Sequence, residues 1–359
     1  MKYLLYPYCD ELLAVYKLIG KYNDKISITK LVAPIAWKTN ITTDETVSYD
    51  FQSSIEDVDG SIIAFVSDSD FMYGDLVKKC HSSLQHKKHT IMCARLNEKD
   101  LVDLQDLAKT NCVEFTYFPI DSTKEIRQRL FQKQDCIVIG VGNMLSELDS
   151  VTALSNLVYR YRDLGYRVTA VTNNNNGPLL GFIQFPDVFN CNTSFEHMIS
   201  MLNSFFTGLQ FLYQPEIIIT QFPCGMLKYS NLCAEDYGVK AFITSQALTI
   251  DYFILISPID DLDNDTYKTM SKTFAYRFGF PIDAVGIVDK IINTSDSNEE
   301  EKIVYEKADL QDVNAFVDRL NSSKKHRIQY FNVFDSSAYD TLVGLSIDAL
   351  SNDRREDDD

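Results

Sequence analysis

The chain is short of basic residues: 34 Lys and Arg stand against 51 Asp and Glu, a formal net charge of −17. That deficit argues against nucleic acid as a partner, because phosphate backbones would be repelled by the average field. No segment supplies the roughly 18 uninterrupted apolar residues of a membrane span. The apolar run in Met1-Lys-Tyr-Leu-Leu-Tyr-Pro7 is also too short for a signal peptide, so the expected location is the cytoplasm, with no membrane partner. No Cys-x-x-Cys pair occurs among Cys9, Cys80, Cys93, Cys112, Cys136, Cys191, Cys224 and Cys233, which removes the usual zinc-ribbon and disulfide frameworks. Reduced thiols fit a cytoplasmic protein, and several lie inside apolar runs where they serve as small hydrophobes. Internal repeats are absent too, and a single tryptophan, Trp37, is read as packed under the Thr-rich loop after it.

What is present is core material. Hydrophobic residues make up 45% of 359 residues, more than one ordinary core needs, so two domains are expected, at 1–130 and 131–350. The charged segment 351–359 reads as a disordered acidic tail. From the start to about residue 130, strand-like runs (2–6, 26–32, 61–66, 90–94) alternate with helical spacings, which predicts a small parallel sheet in an α/β domain. Asp68 and Asp70 fall just after the run Ser61-Ile-Ile-Ala-Phe-Val66, where α/β sheets place ligands; helix capping accounts for them as well. Cys80, His81, His86, His89 and Cys93 crowd together but match no zinc spacing, and no metal is expected.

The second domain is organised around Asp135–Asn176. Cys136-Ile-Val-Ile-Gly-Val-Gly142 is a buried-strand run, Val151 to Leu164 recur at helical spacing, and Tyr166-Arg-Val-Thr-Ala-Val-Thr172 is the next strand. In such a βαβ unit the strand-to-helix loop offers backbone N–H groups and the positive end of a helix dipole to an anion. A ligand there would meet Gly140, Gly142, Asn143, Glu147 and Asp149. The motif GxxxxGK[ST] is incomplete, since Glu147, Leu148 and Asp149 occupy its last three positions, and Gly140-Val-Gly142 does not extend to GxGxxG. Ser146 and Asp149 are also suited to cap the helix.

Further on, Thr193 with Glu196 suggests a capping box before a long helix that ends at Pro215, and Glu216-Ile-Ile-Ile-Thr220 is the third strand. Gln221-Phe-Pro-Cys-Gly-Met226 is expected as a loop at its carboxyl end, which makes Cys224 the cysteine best placed to react, with Asp68 as a second catalytic candidate. No histidine stands near Cys224 in sequence to generate a thiolate. Asp260, Asp261, Asp263 and Asp265 have the spacing of a calcium loop without its turn glycine or terminal glutamate.

Taken together, several motifs resemble one family. They are Tyr6-Pro7, Leu31-Val-Ala-Pro-Ile-Ala-Trp37, Ile137-Val-Ile-Gly-Val-Gly142, Leu164-Gly-Tyr-Arg-Val168, Gly181-Phe with Phe185-Pro186, Pro215-Glu-Ile-Ile-Ile, Thr244-Ser-Gln-Ala247 and Tyr276-Arg-Phe-Gly-Phe280. In order and spacing they are similar to accessory proteins of peptide maturation systems, found in clostridial-type gene clusters beside a Cys-rich precursor peptide and a radical SAM maturase. The resemblance runs over most of the chain. It implies a Rossmann-like N-terminal domain joined to a degenerate P-loop-like, doubly wound α/β domain, with the precursor peptide and the maturase as partners. It also places substrate candidates at Pro223, Gly225, Ser245, Gln246 and Arg277. ATP with magnesium is the cofactor it raises. This chain departs from the family pattern at a loop lysine, where it has Glu147, and at a Pro-Gly-Gly turn, where it has Pro223-Cys224-Gly225; the missing lysine argues against ATP. The expected function is an accessory role in maturing a ribosomally made peptide. The alternatives are an ATP-dependent ligase or related enzyme using the loop after Gly142, and a non-catalytic scaffold with a decayed nucleotide site.

Overall fold

The computed structural model describes residues 1–9, 12–38, 46–66, 69–120, 132–230, 237–322 and 328–356. Asp68, Cys233, the Thr-rich stretch 39–45 and most of a helix expected from Glu125 to Gln132 lie outside the described residues. The chain divides into two units, Met1–Ser122 with Asn174–Gln184, and Thr123–Asn173 with Phe185–Asp359.

In the first unit the short apolar runs become β1 (Lys2–Tyr6), β2 (Ser27–Val32), β3 (Val47–Ser48), β4 (Gly60–Ile63), β5 (His89–Ala94) and β6 (Phe115–Pro119). All neighbours are parallel, in the order β3-β2-β1-β4-β5-β6. That is the Rossmann order, with its reversal between β1 and β4. The helices are α1 (Leu13–Tyr22), α2 (Phe51–Glu56), α3 (Ser69–Gln85) and α4 (Glu98–Asn111). Capping explains two of their starts. Asp50 accepts from the Gln52 and Ser53 amides ahead of α2, and Asn97 accepts from the Asp100 amide ahead of α4. The core joins Leu4, Tyr6, Phe51, Ile55, Leu84 and Met92. Cys80 packs in the same core and Cys93 is likewise buried, with burial pushing both thiols upward. Neither is presented as a ligand.

Asn174–Gln184 groups with this unit although it comes after a strand of the second. It holds a 3-10 turn at Gly177–Leu180, closed by Gly181 at φ 73°, and the short strand β9 (Ile183–Gln184).

In the second unit the opening strands and helices are β7 (Ile137–Asn143), α5 (Ser150–Asp163), β8 (Val168–Thr172), α6 (Phe195–Tyr213), β10 (Ile217–Gly225), α7 (Val239–Ala247), β11 (Tyr252–Ile259) and α8 (Asn264–Phe278). They are followed by β12 (Ala284–Ile292), α9 (Thr294–Glu300), β13 (Tyr305–Lys307), α10 (Leu310–Asn321), β14 (Gln329–Asn332) and α11 (Ala338–Glu356). The eight-stranded sheet runs β13-β12-β11-β7-β10-β8-β9, with β14 beside β12; β13 pairs antiparallel with β12, while the β12–β11, β11–β7, β7–β10, β10–β8 and β12–β14 pairs are parallel. The connection after β7 runs towards β8 on one side and that after β11 towards β12 on the other, so the carboxyl end of β7 lies at the switch point of a doubly wound sheet. The protein is thus α/β with a Rossmann-like sheet followed by a P-loop-like one.

Several local expectations change. Ser194, not Thr193, caps α6 by accepting from the His197 amide. The helix α11 continues to Glu356, into the segment 351–359 expected as a disordered tail. Residues 221–225 extend β10 instead of forming a loop. Among the described residues, no helix is long and apolar enough to cross a membrane.

Candidate functional site

The carboxyl end of β7 is where this fold takes a ligand, so the site is built from its glycines outward. A Cβ on Gly140 would meet the ring of Phe253 at 2.8 Å and that of Phe222 at 3.0 Å. One on Gly142 would meet Met226 and, at 2.7 Å, the ring of Phe253. Both glycines therefore make room for side chains of the core, where Phe222, Phe253 and Phe280 pack edge-on and tilted against one another.

The loop after β7 is filled by its own residues. Met144, Leu145 and Leu148 are buried. The Met144 amide, which a phosphate cradle would aim at an anion, donates to the Ile256 carbonyl at 2.7 Å. Asn143 donates from Nδ2 to the Leu148 carbonyl at 3.0 Å, and the Met226 and Leu227 amides take the Asn143 and Met144 carbonyls. Glu147 is exposed, at φ 61°.

Two groups from the far side of the sheet hold this loop. Lys290, near the end of β12, donates from Nζ to the Glu147 carbonyl, and Tyr305 donates to the Ser146 carbonyl at 2.8 Å. The Lys290 ammonium also stands 4.8 Å from the Tyr305 ring centroid. Burial pulls the Lys290 pKa below its ordinary value, against the opposing pull of Glu147, Asp149 and Asp289. Asp149 caps α5, accepting from the Thr152 amide at 3.1 Å and its hydroxyl at 2.7 Å. Burial raises the Asp149 pKa, and Asp289 adds to that, while Thr152 and Lys290 pull it down.

Below the loop lies a buried neutral network. Gln221 of β10 donates from Nε2 to the Ser150 hydroxyl. Its Oε1 accepts from the Thr172 hydroxyl at 2.6 Å and from the Asn173 amide at 3.0 Å. Thr172, Ser150 and Gln221 are 0%, 1% and 7% exposed, so each of these bonds replaces water. In P-loop sites the hydroxyl opening the helix and a strand-end aspartate hold magnesium between them. Here the hydroxyl is present, at Ser150, but the strand-end residue is an amide whose oxygen already accepts two bonds. The residues present do not fit a magnesium nucleotide: no loop lysine, among the described residues no carboxylate partner for Ser150, and apolar side chains where phosphates would lie.

The remaining sequence candidates are scattered around this loop and beyond it. Pro223, Cys224 and Gly225 stand at the end of β10, with Gly225 in register with Asn143, so they border the loop. Cys224 is part-buried with φ 60°. Ser245 is buried and donates back to the Phe242 carbonyl within α7, and Gln246 is exposed beside it. Arg277 of α8 donates to the Tyr237 carbonyl. Ser150, Gln221, Lys290 and Tyr305 were not singled out from sequence. Only Ser150 carried a signal there, as the first hydroxyl of the helix.

No family model matches this sequence, and no curated protein does. Among solved structures, the chain is similar to a DUF1611 family protein from Anabaena variabilis, with a TM-score of 0.56 at 8% identity over 98% of this chain and 99% of that one. At that identity the likeness concerns the fold, and it spans both units. Chloroplast FtsY from Physcomitrella patens matches with a TM-score of 0.34 at 9% identity, over 80% of this chain and 90% of that one. A GTPase from Pyrococcus abyssi in its apo form matches at 0.29 and 14%, over 61% and 98%. Neither of these two carries an argument.

Proposed function

We propose that this protein is a non-catalytic accessory protein of a peptide maturation system, cytoplasmic, acting with a radical SAM maturase on a ribosomally made precursor peptide. Its P-loop-like unit serves as a packed scaffold and not as a nucleotide-hydrolysing centre. The observation that carries the second part is the Ser150–Gln221–Thr172 network, hydrogen bonds between neutral side chains where a magnesium site would need a carboxylate. The filled loop above it supports the same reading. The pathway rests on the motif resemblance, from Tyr6-Pro7 to Tyr276-Arg-Phe-Gly-Phe280.

Thermal shift with ATP, GTP and NAD, each with and without magnesium, tests the scaffold reading. A ligand at a hundred times its dissociation constant would add roughly 2.7 kcal/mol of stability. The expected result is no shift with any of them; a magnesium-dependent shift with ATP or GTP overturns the reading in favour of a nucleotide-using enzyme. Pull-down with the neighbouring precursor and maturase tests the pathway, and retention of neither would sink it.

A further inference from the structure

The turn Gly177–Leu180 lies against α1, the helix that comes after β1. Asn176, 4% exposed, donates from Nδ2 to the Phe65 carbonyl at 2.8 Å and accepts from the Phe65 amide at Oδ1 at 2.9 Å. One side-chain amide thereby does for Phe65 what a peptide group of an adjacent strand would do. Phe65 lies just past β4, and Ala64 between them donates to the Tyr6 carbonyl at the end of β1. The segment therefore touches both the helix after β1 and the strand-end backbone after β4, and the strand order reverses between these two strands. A Rossmann sheet takes its ligand at that point.

Hydrogen bonds within the segment close its turn. The Asn176 amide donates to Asn174 Oδ1 at 2.9 Å, the Gly177 amide to the Asn174 carbonyl at 2.8 Å, and Gln184 Nε2 to Asn175 Oδ1 at 3.0 Å. Leu179, Leu180 and Phe182 are all buried. On the sheet side, the turn after β1 reads Pro7-Tyr8-Cys9 and has no glycine for the close approach of a pyrophosphate. The Tyr8 amide is already committed to the Val32 carbonyl at 2.8 Å.

We propose that the crevice at the carboxyl ends of β1 and β4 is a peptide-binding site, and that Asn174–Gln184 is its built-in ligand. The class of ligand is set by the occupant: a short turn of peptide that offers one amide side chain to a strand-end backbone. A peptide supplied from outside competes with a tethered one whose effective concentration is on the order of millimolar. External binding therefore becomes visible only when the clasp is loosened. This inference concerns the first unit and stands or falls apart from the scaffold reading of the second.

The test uses the full-length protein, Asn176→Ala and Gly181→Ala; the latter strains the turn at φ 73° while removing no contact in the crevice. The probe is a fluorescein-labelled synthetic peptide of residues 172–186, followed by polarisation, with NAD and ATP as competitors. Amide hydrogen exchange at Phe65 is measured in parallel. Phe65 exchange in Asn176→Ala is expected to rise about tenfold. Both variants should bind the peptide at least about tenfold more tightly than the wild type does, with no displacement by either nucleotide. Absence of peptide binding to both variants overturns the proposal, as does displacement by NAD or ATP, which would make the crevice a nucleotide site. If Asn176→Ala does not fold, Gly181→Ala carries both readouts.

Discussion

The two sheets each end at a position their fold reserves for a ligand, and each position is satisfied from within the chain by a different device. After β7 the loop fills its own space, with Met144, Leu145 and Leu148 turned inward and a neutral network of Ser150, Gln221 and Thr172 beneath. After β4 the loop is met by a separate stretch of chain, through one asparagine and a short turn. The first device is made of core packing and is costly to undo. The second rests on fewer contacts and is the one that substitution can release. Two sheets of similar strand logic can thus have their switch points met by protein groups of different kinds.

The largest expected effect comes from Gln221→Asp. It places a carboxylate among buried groups arranged for a neutral amide, one methylene too short to reach both sides, and with no cation in the network. A loss of about 3 kcal/mol in urea unfolding is expected at neutral pH, because an unpaired buried charge costs that much. Adding magnesium with ATP should restore none of it. Restoration would mean that this site is one substitution from a working metal centre, and the contrast with the first unit would collapse.

Next in size is Gly142→Ala, which asks whether that glycine serves the core or an anion. The added methyl runs into Met226 and the Phe253 ring, so about 1–3 kcal/mol of stability should be lost by overpacking. If the space beside Gly142 were an open cradle, stability would hardly move and only ligand binding would suffer. The same ambiguity explains what the sequence could and could not disclose. A glycine at a strand end signals a close approach, but the letters do not say whether a ligand or a ring approaches, and Phe253 arrives from β11, far along the chain. Most strands and helices were legible, because buried runs such as Ile217–Ile219 and caps such as Asp149 and Asn97 are local signals. β6 was not, since Phe115-Thr-Tyr-Phe-Pro119 has no alternating face, and β3 is only two residues long. Lys290 and Tyr305 could not be linked to the loop by any spacing. In Asn173-Asn-Asn-Asn176 nothing distinguishes the residue that pairs with Phe65 from the three before it.

The smallest effect, and the most diagnostic of how the β7 loop is held, belongs to Lys290→Met. Burial lowers the Lys290 pKa from 10.5 in the folded protein, so between the folded value and 10.5 the unfolded chain binds more protons. Stability contributed by this group therefore rises with pH across that alkaline window, and below it the buried charge is a fixed cost offset by the Glu147 carbonyl and the nearby carboxylates. Replacing the ammonium by a thioether of similar length removes both the cost and the contact. A change of less than about 1 kcal/mol is expected at pH 7, and the difference in unfolding free energy between wild type and variant should move in favour of the wild type as pH rises through that window. Should the variant instead lose several kcal/mol at pH 7, with that difference unchanged across the alkaline window, the lysine would be the main support of the loop. The packing of Met144, Leu145 and Leu148 would then be the consequence of that contact, and the device after β7 would depend, like the one after β4, on a single side chain.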